Sequence, residues 1–433
     1  MTVRDDRRPL PIRLTPVLLA TGVVLVAINL RPAAASIGPV LGEIQSDTGL
    51  SSGWAGALTT LPVLCFGLLA PLAPVLARRL GLHTAIALAM VTLVAGILLR
   101  LVPGDVFLFA GTALAGSSIA TGNVLLPVVV RRDFPHRTGM AMALYTTALI
   151  GFAALAAGLT VPLANALGGG WRPGLAIWAA PAAVAALAWL PALRRRDPGP
   201  AAPRSDAAHT AQTAHTAHTA RTLLRHPLAW QVTFFFALQS GGFYATLAWL
   251  PSIFRSHGAS AAHAGVLLSL SMVVGLATAL SVPAIASRHR DQRLLVVASC
   301  ALTAAGLAGI LLAPMSASYL WVILLGLGQN ATFPLALMMI VTRSGNVATT
   351  EGLSTLAQSV GYVLAAFAPL AVGAIHGLSG SWTPPLILLL AIVAPELVVG
   401  LGAGRDRQLA APSSPTRPEV PLAQTAAGSA TGE

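Results

Sequence analysis

Residues 14–41 read LTPVLLATGVVLVAINLRPAAASIGPVL, with Asn29-Leu30-Arg31-Pro32 inside them. Taken as one helix the run is roughly 40 Å long at about 1.5 Å per residue, and a bilayer core is about 30 Å thick. As a membrane span it carries Arg31 past the midplane. A charge at that depth is costly and marks a functional site by default. Pro32 has no N–H, so the carbonyl of Ile28, four residues back, loses its helical partner. One short stretch therefore supplies a fixed cation, a carboxamide and a free carbonyl.

The rest of the chain fits a membrane setting. Of 433 residues, 55% are hydrophobic and only 9% charged, and the mean hydropathy is +0.76. A soluble domain is usually about 25% charged. The net charge is +12 and every basic residue is arginine. The arginines stand in short clusters between apolar runs, a positive-inside pattern and not a nucleic-acid footprint. Cys65 and Cys300 both fall inside apolar runs and read as packing residues, with no disulfide and no metal site. No cleavable signal peptide is evident.

Twelve spans are read, near 14–41, 53–77, 82–102, 106–130, 138–165, 171–193, 228–254, 261–286, 293–313, 316–342, 350–376 and 382–403. With the N-terminus inside, 22 of the 26 arginines fall in cytoplasmic segments, which puts both termini in the cytoplasm. The exceptions are Arg31, Arg100, Arg172 and Arg255. The expected division is a cytoplasmic segment 1–13, a six-helix bundle 14–193, a flexible cytoplasmic linker 194–226, a second six-helix bundle 227–403 and a disordered cytoplasmic tail 404–433. The linker's repeat, His209-Thr-Ala to His218-Thr-Ala, reads as slipped-repeat linker sequence in preference to a metal tract, because it lacks carboxylate or cysteine company.

The two halves resemble each other weakly. Asn123-Val-Leu-Leu-Pro127 matches Asn330-Ala-Thr-Phe-Pro334 at an offset of 207, and Gly49 to Gly56 matches Gly258 to Gly265 at 209. Near-equal offsets indicate a duplicated six-helix unit. Such repeats mark secondary transporters, with the solute site between the halves near the midplane. Pro127 and Pro334 each leave an asparagine carbonyl unpaired, so with Pro32 they are read as helix breaks lining a cavity. The candidate solute-binding set is Asn29, Arg31, Asn123, Tyr145, Gln239, Tyr244, Asn330 and Gln358, with Tyr362 four residues after Gln358 on the same face. Thr59 and Thr60 are expected to bond back to their own helix.

No acid lies mid-span in the first eleven spans to pair with Arg31; Glu43 is about 18 Å further along the helix. Glu396, in the twelfth, is expected to reach toward the interface near Arg405 and not to carry protons. An anionic or strongly polar solute, held by the guanidinium fork, is then expected to answer Arg31.

Several of these stretches together resemble a known family. Asn29-Leu-Arg-Pro32, Ser36-Ile-Gly-Pro39, Thr60-Leu-Pro-Val-Leu-Cys-Phe-Gly67, Ala70-Pro-Leu-Ala-Pro74 and Arg78-Arg-Leu-Gly81 resemble the cyanate/nitroimidazole permease branch of the major facilitator superfamily. The resemblance implies an all-α integral membrane protein of the major facilitator fold, with twelve transmembrane helices in two pseudo-symmetric six-helix bundles. It implies alternating access, helices 1, 4, 7 and 10 around the cavity, and a multi-pass place in the bacterial plasma (inner) membrane. The superfamily's loop between helices 2 and 3 usually reads Gly-x-x-x-Asp-Arg-x-Gly; here Pro74, Arg78, Arg79 and Gly81 stand there, and the acid is missing. A sign-swapped cytoplasmic latch is expected, with Glu351, behind the capping residues Thr349 and Thr350, meeting Arg78 or Arg79.

Competing classes fit less well. A membrane enzyme needs clustered acids, histidines or a nucleophile, and the histidines lie at span ends, in loops or in the linker. A pump needs a phosphate-binding loop, and no Gly-x-x-x-x-Gly-Lys-Ser/Thr occurs. A sensor of the same fold and a broad-specificity drug or metabolite exporter also compete; an aromatic content of only 6% argues against the exporter. The expected protein is a monomeric transporter of a small anionic or polar solute, cyanate- or nitroimidazole-like, with the bilayer and that solute as partners, no cofactor and no nucleic acid.

Overall fold

The computed structural model describes residues 16–134, 138–194 and 223–409. Among these, twelve helical rods follow one another. α1 comprises Pro16–Ala27, Pro32–Ala35 and Ile37–Thr48. Next come α2 (Ser52–Leu80), α3 (Leu82–Leu99), α4 (Asp105–Asp133), α5 (Thr138–Ala166) and α6 (Trp171–Leu193). The second set is α7 (Pro227–Ser256), α8 (Ala261–Ala286), α9 (Arg293–Leu312), α10 (Ser318–Thr342), α11 (Val347–Ser379) and α12 (Thr383–Ala403). The N-terminal arginines Arg4, Arg7, Arg8 and Arg13, the histidine repeat and residues 410–433 lie outside the described residues.

α1 is not the single straight helix expected over 14–41. Its backbone tightens at residues 28–31, where the amides of Asn29 and Leu30 bond to the carbonyls of Val26 and Ala27, three residues back. Pro32 then opens a new turn, with Arg31 as its N-cap and the Arg31 carbonyl accepting from the amides of Ala34 and Ala35. This is the position where a missing proline N–H costs nothing. A further bend of 41° separates the parts before and after Ser36, and the rod runs on to Thr48, where Gly49 turns left-handed at φ 74°. By contrast, Pro127 and Pro334 sit inside uninterrupted helices, so neither is the break expected of it. Each removes one hydrogen bond, and the packed neighbours hold the helix together across it.

Ten described helices are long and apolar enough to cross a membrane, eleven if the bent halves of α1 count as one. α7 stands apart. It has 30 residues, carries Gln231, Gln239 and Ser240, and is buried along most of its length. A helix of that composition belongs in the middle of the protein, away from lipid.

The repeat is visible in the capping. α2 follows left-handed Gly49, and Ser51 caps it by accepting from the Trp54 amide. α8 follows left-handed Gly258, and Ser260 caps it by accepting from the His263 amide. The same device begins the equivalent helix of each half, because αL glycine and an N-cap serine end one rod and start the next.

The halves meet through α1 with α7, α2 with α11 and α5 with α8. Small residues let these backbones approach. A Cβ at Gly38 would lie 2.5 Å from the Leu247 carbonyl oxygen, one at Gly265 2.6 Å from that of Ala157, and one at Gly67 2.9 Å from that of Ser359. Gly56 meets Pro369 and Leu370 in the same manner. The Thr60 hydroxyl donates to the Ala366 carbonyl at 3.0 Å, so it ties α2 to α11 and does not bond back as Thr59 does. These approaches run from the middle of the rods to the end away from the termini. There Arg255 pairs with Glu43 at 3.6 Å. The halves are therefore closed at the far end.

At the termini end, Arg343 is 1% exposed and gathers three segments. Its guanidinium donates to the carbonyls of Ala403 (2.8 Å), Arg290 (3.0 Å) and Gly404 (3.0 Å) and to Gln292 Oε1 (3.2 Å). The Leu409 amide returns to the Arg343 carbonyl at 2.8 Å.

Candidate functional site

The break in α1 aims Arg31 at α7. Nη1 donates to the Tyr244 hydroxyl at 3.1 Å. The guanidinium carbon lies 5.9 Å from the Phe243 ring centre and 5.8 Å from that of Tyr244, within cation–π range. Its Nε is buried with no partner. Among the described residues no carboxylate pairs with Arg31, since Glu43 is taken by Arg255.

Tyr145 and Tyr362 complete the electrostatic surroundings of Arg31. The rings interlock: Phe66 lies 6.0 Å from Tyr244 and 5.7 Å from Tyr362, and Phe236 lies 5.0 Å from Tyr362. Three of the chain's four tyrosines thus surround one arginine. The low overall aromatic content is a poor guide to this spot and does not exclude an aromatic cavity here. Phe66, Phe236 and Phe243 were not among the expected residues. Phe66 does lie within the motif Thr60 to Gly67, and Phe243 adjoins Tyr244.

The amide residues divide. Asn123 stays with the site, its Oδ1 accepting from the Tyr145 hydroxyl at 3.5 Å. Asn29 is 2% exposed, and its amide donates to the carbonyls of Leu25 (2.7 Å) and Pro181 (3.1 Å). It pins the broken turn to α6 and is not free for a solute. Asn330 donates to the carbonyls of Gly326 (2.9 Å) and Ser271 (3.4 Å), packed where α8 has only Gly275. It acts as interhelical glue. Gln239 donates to Ser240 Oγ (2.6 Å) and the Phe236 carbonyl (3.1 Å) and faces the interior of the second half. Gln358 donates to Ser354 Oγ at 2.8 Å. The expected set therefore reduces, around Arg31, to Tyr145, Tyr244 and Asn123, with Tyr362 added.

The cap of α11 and the setting of Glu396 also differ from expectation. Asn346, not Thr349 or Thr350, caps α11, accepting from the Thr349 amide at 2.8 Å. Glu351 is exposed, and among the described residues no ion pair joins it to Arg78 or Arg79. Glu396 is 6% exposed and lines a small cavity with Gln239, Gln329 and Thr332, while Arg405 stands exposed beyond the end of α12.

Two pseudo-symmetric sets of six helices, closed at one end and with a half-buried cation between them, have the architecture of a secondary transporter. The chain belongs to the Major Facilitator Superfamily, whose model matches residues 18–366. It lies in the cyanate/nitroimidazole permease branch of that superfamily. It is 36% identical to the 2-nitroimidazole transporter of Escherichia coli (strain K12), covering 91% of this chain and 97% of that protein. It is 32% identical to the cyanate transport protein CynX of the same organism, covering 83% and 90%. A transporter of Bacillus subtilis (strain 168), YycB, is 41% identical over 90% of this chain and 94% of its own length. Among solved structures the fold matches the D-xylose-proton symporter, with TM-score 0.72 at 13% identity over 90% of this chain and 98% of that one. A bacterial homolog of the lysosomal transporter Spinster, in an inward-facing and unoccupied conformation, gives TM-score 0.71 at 15% identity over 90% and 96%. The protein is a multi-pass membrane transporter of a small solute.

Proposed function

We propose that the solute is small, flat and anionic or rich in acceptors, of the cyanate or nitroimidazole kind. The observation that carries this reading is Arg31, a half-buried cation at membrane depth with no carboxylate partner among the described residues, set beside aromatic rings and tyrosine hydroxyls. A guanidinium fork takes two acceptors side by side, as a nitro group offers them, and its charge suits the terminal acceptor of a small linear anion. The rings of Phe243 and Tyr244 suit a flat partner. The names of two relatives, the 2-nitroimidazole transporter and the cyanate transport protein, support the same chemistry.

Transport proceeds by rocking of the two halves. With both termini cytoplasmic, as the arginine distribution supports, the closed far end faces outward and Arg31 is reached from the cytoplasm. The protein sits in the bacterial inner membrane as a monomer, binds no nucleic acid and performs no chemistry on its solute. Residues 194–226 link the bundles 14–193 and 227–403, and 404–433 form a tail. Arg78, Arg79 and Glu351 form the cytoplasmic latch when that side closes; in a state closed at the far end the latch is open. Thermal unfolding of the purified protein with cyanate and with 2-nitroimidazole tests the reading. Stabilisation is expected in the wild type and is expected to vanish in Arg31→Gln. Equal shifts in both proteins would count against it.

A further inference from the structure

Glu396 is the only described acid well inside a helix of the second half. The others there, Asp291, Glu351 and Asp406, stand at helix ends or in loops. Its carboxyl lines a small cavity of about 10 Å³ together with Gln239, Thr303, Gln329 and Thr332. That volume suits a single water, which needs two to four polar partners. None of the helices around it brings a second charge to the lining. On α9 the titratable neighbour is Cys300, and that helix's cation, Arg293, stands at its first residue bound to Asp291 at 2.7 Å. α7 brings Gln239, with Arg255 at its distant end; α10 brings Gln329 and Thr332; α11 carries Tyr362 in its middle and Glu351 and His376 near its ends.

The lining is richer in acceptors than in donors. The Thr303 hydroxyl donates to the Ser299 carbonyl at 3.0 Å and that of Thr332 to the Gln329 carbonyl at 2.9 Å. Both amide hydrogens of Gln239 are engaged, by Ser240 and Phe236. One hydrogen of the Gln329 amide goes to Thr246 Oγ1 at 3.1 Å. What remains is two hydroxyl oxygens, the side-chain carbonyls of Gln329 and of Gln239, the latter already 3.5 Å from the Thr332 hydroxyl, and one free N–H. A carboxylic acid finds partners there for its proton; a carboxylate finds no cation. Among the described residues Glu396 forms no hydrogen bond that would hold it in the ionised form.

The same residues reach the solute site. Gln239 and Ser240 lie on α7 just over one turn before Tyr244, whose hydroxyl accepts from Arg31. A shift of α7 that accompanies movement of the halves would alter the cavity and the Arg31 contact together.

We propose that Glu396 with its cavity is a proton-binding site, taking a proton from water in one state of the transporter and returning it to water in the other. Its ligand is the proton, and the site couples solute movement to a pH gradient. This inference rests on the transport reading above. Proteoliposomes with an imposed pH gradient test it, with cyanate and 2-nitroimidazole as probes. The wild type is expected to accumulate solute beyond its equilibrium level. Glu396→Gln is expected to exchange the same solute across the membrane without accumulating it. Infrared difference spectra of the solubilised protein between acidic and alkaline buffer supply a readout that needs no solute. A titrating carboxyl band is expected in the wild type and in Glu396→Asp, and is expected to be absent in Glu396→Gln. Accumulation by Glu396→Gln at the wild-type level, or survival of its titrating band, would overturn the proposal. If neither solute moves in the wild type, the solute assignment fails while the infrared band still decides the proton site.

Discussion

Arg31 Nη1 and the Tyr244 hydroxyl lie 3.1 Å apart, and their bond joins the broken first helix to the buried seventh across the two halves of the molecule. A hydrogen bond to a charged group contributes about 1.5–3 kcal/mol. Its partners therefore report both on solute binding and on contact between the halves.

Tyr244→Phe removes the hydroxyl and keeps the ring packed against Phe66 and edge-on to Phe243. The expected result is a fall of about tenfold or more in solute affinity, the equivalent of one such bond, with folded protein recovered at the wild-type level. Solute titration by tryptophan fluorescence measures it. Unchanged affinity would remove Tyr244 from the site.

Gly38 faces the Leu247 carbonyl with no room for a Cβ. Gly38→Val is expected to hold the far end open and to slow solute exchange strongly, about a hundredfold if closure is needed in every cycle and its cost rises by about 3 kcal/mol. Spin labels placed at Thr48 and Ser256 are expected to move apart in this variant, as measured by double electron–electron resonance. An unchanged distance with full exchange would mean that the far end does not need to close there.

The cost of Arg31 in an apolar run and the match of Gly49–Gly56 with Gly258–Gly265 were legible from residue type and spacing; the capping role of that match was not. Both serines, Ser51 and Ser260, cap as their matched positions require. The destination of each amide was not legible. Asn123 and Asn330 occupy equivalent positions, yet one faces a tyrosine and the other fills the space beside Gly275. That difference depends on which neighbour is small. Likewise, Tyr145, Tyr244 and Tyr362 stand on three helices, and only the packing of α5, α7 and α11 brings them to Arg31. The setting of Glu396 was not legible either, because depth along a helix does not tell which side of it faces an internal cavity.

Arg343 satisfies three carbonyls from two segments at the termini end. Arg343→Gln leaves those buried acceptors short of donors and is expected to cost about 3 kcal/mol or more. Arg343→Lys is expected to recover only part of this, because an ammonium cannot reproduce the guanidinium's fixed fork. Thermal unfolding in detergent measures both variants. Wild-type stability in Arg343→Gln would show that these bonds are replaced by water.

The latch predicts a charge-swap result. Glu351→Arg alone is expected to slow transport, and Glu351→Arg with Arg78→Glu or Arg79→Glu is expected to restore it. The non-additivity of such a pair is the quantity a double-mutant cycle isolates. Additive losses would leave Arg78 and Arg79 serving topology alone.

The most direct measurement is solute flux into proteoliposomes carrying the wild type or Arg31→Gln at matched protein content, with cyanate and 2-nitroimidazole as solutes. Arg31 carries the recognition, so the wild type is expected to move at least one of the two and Arg31→Gln to fall to the rate of empty vesicles while remaining folded. Flux through Arg31→Gln at the wild-type rate and affinity would contradict the account.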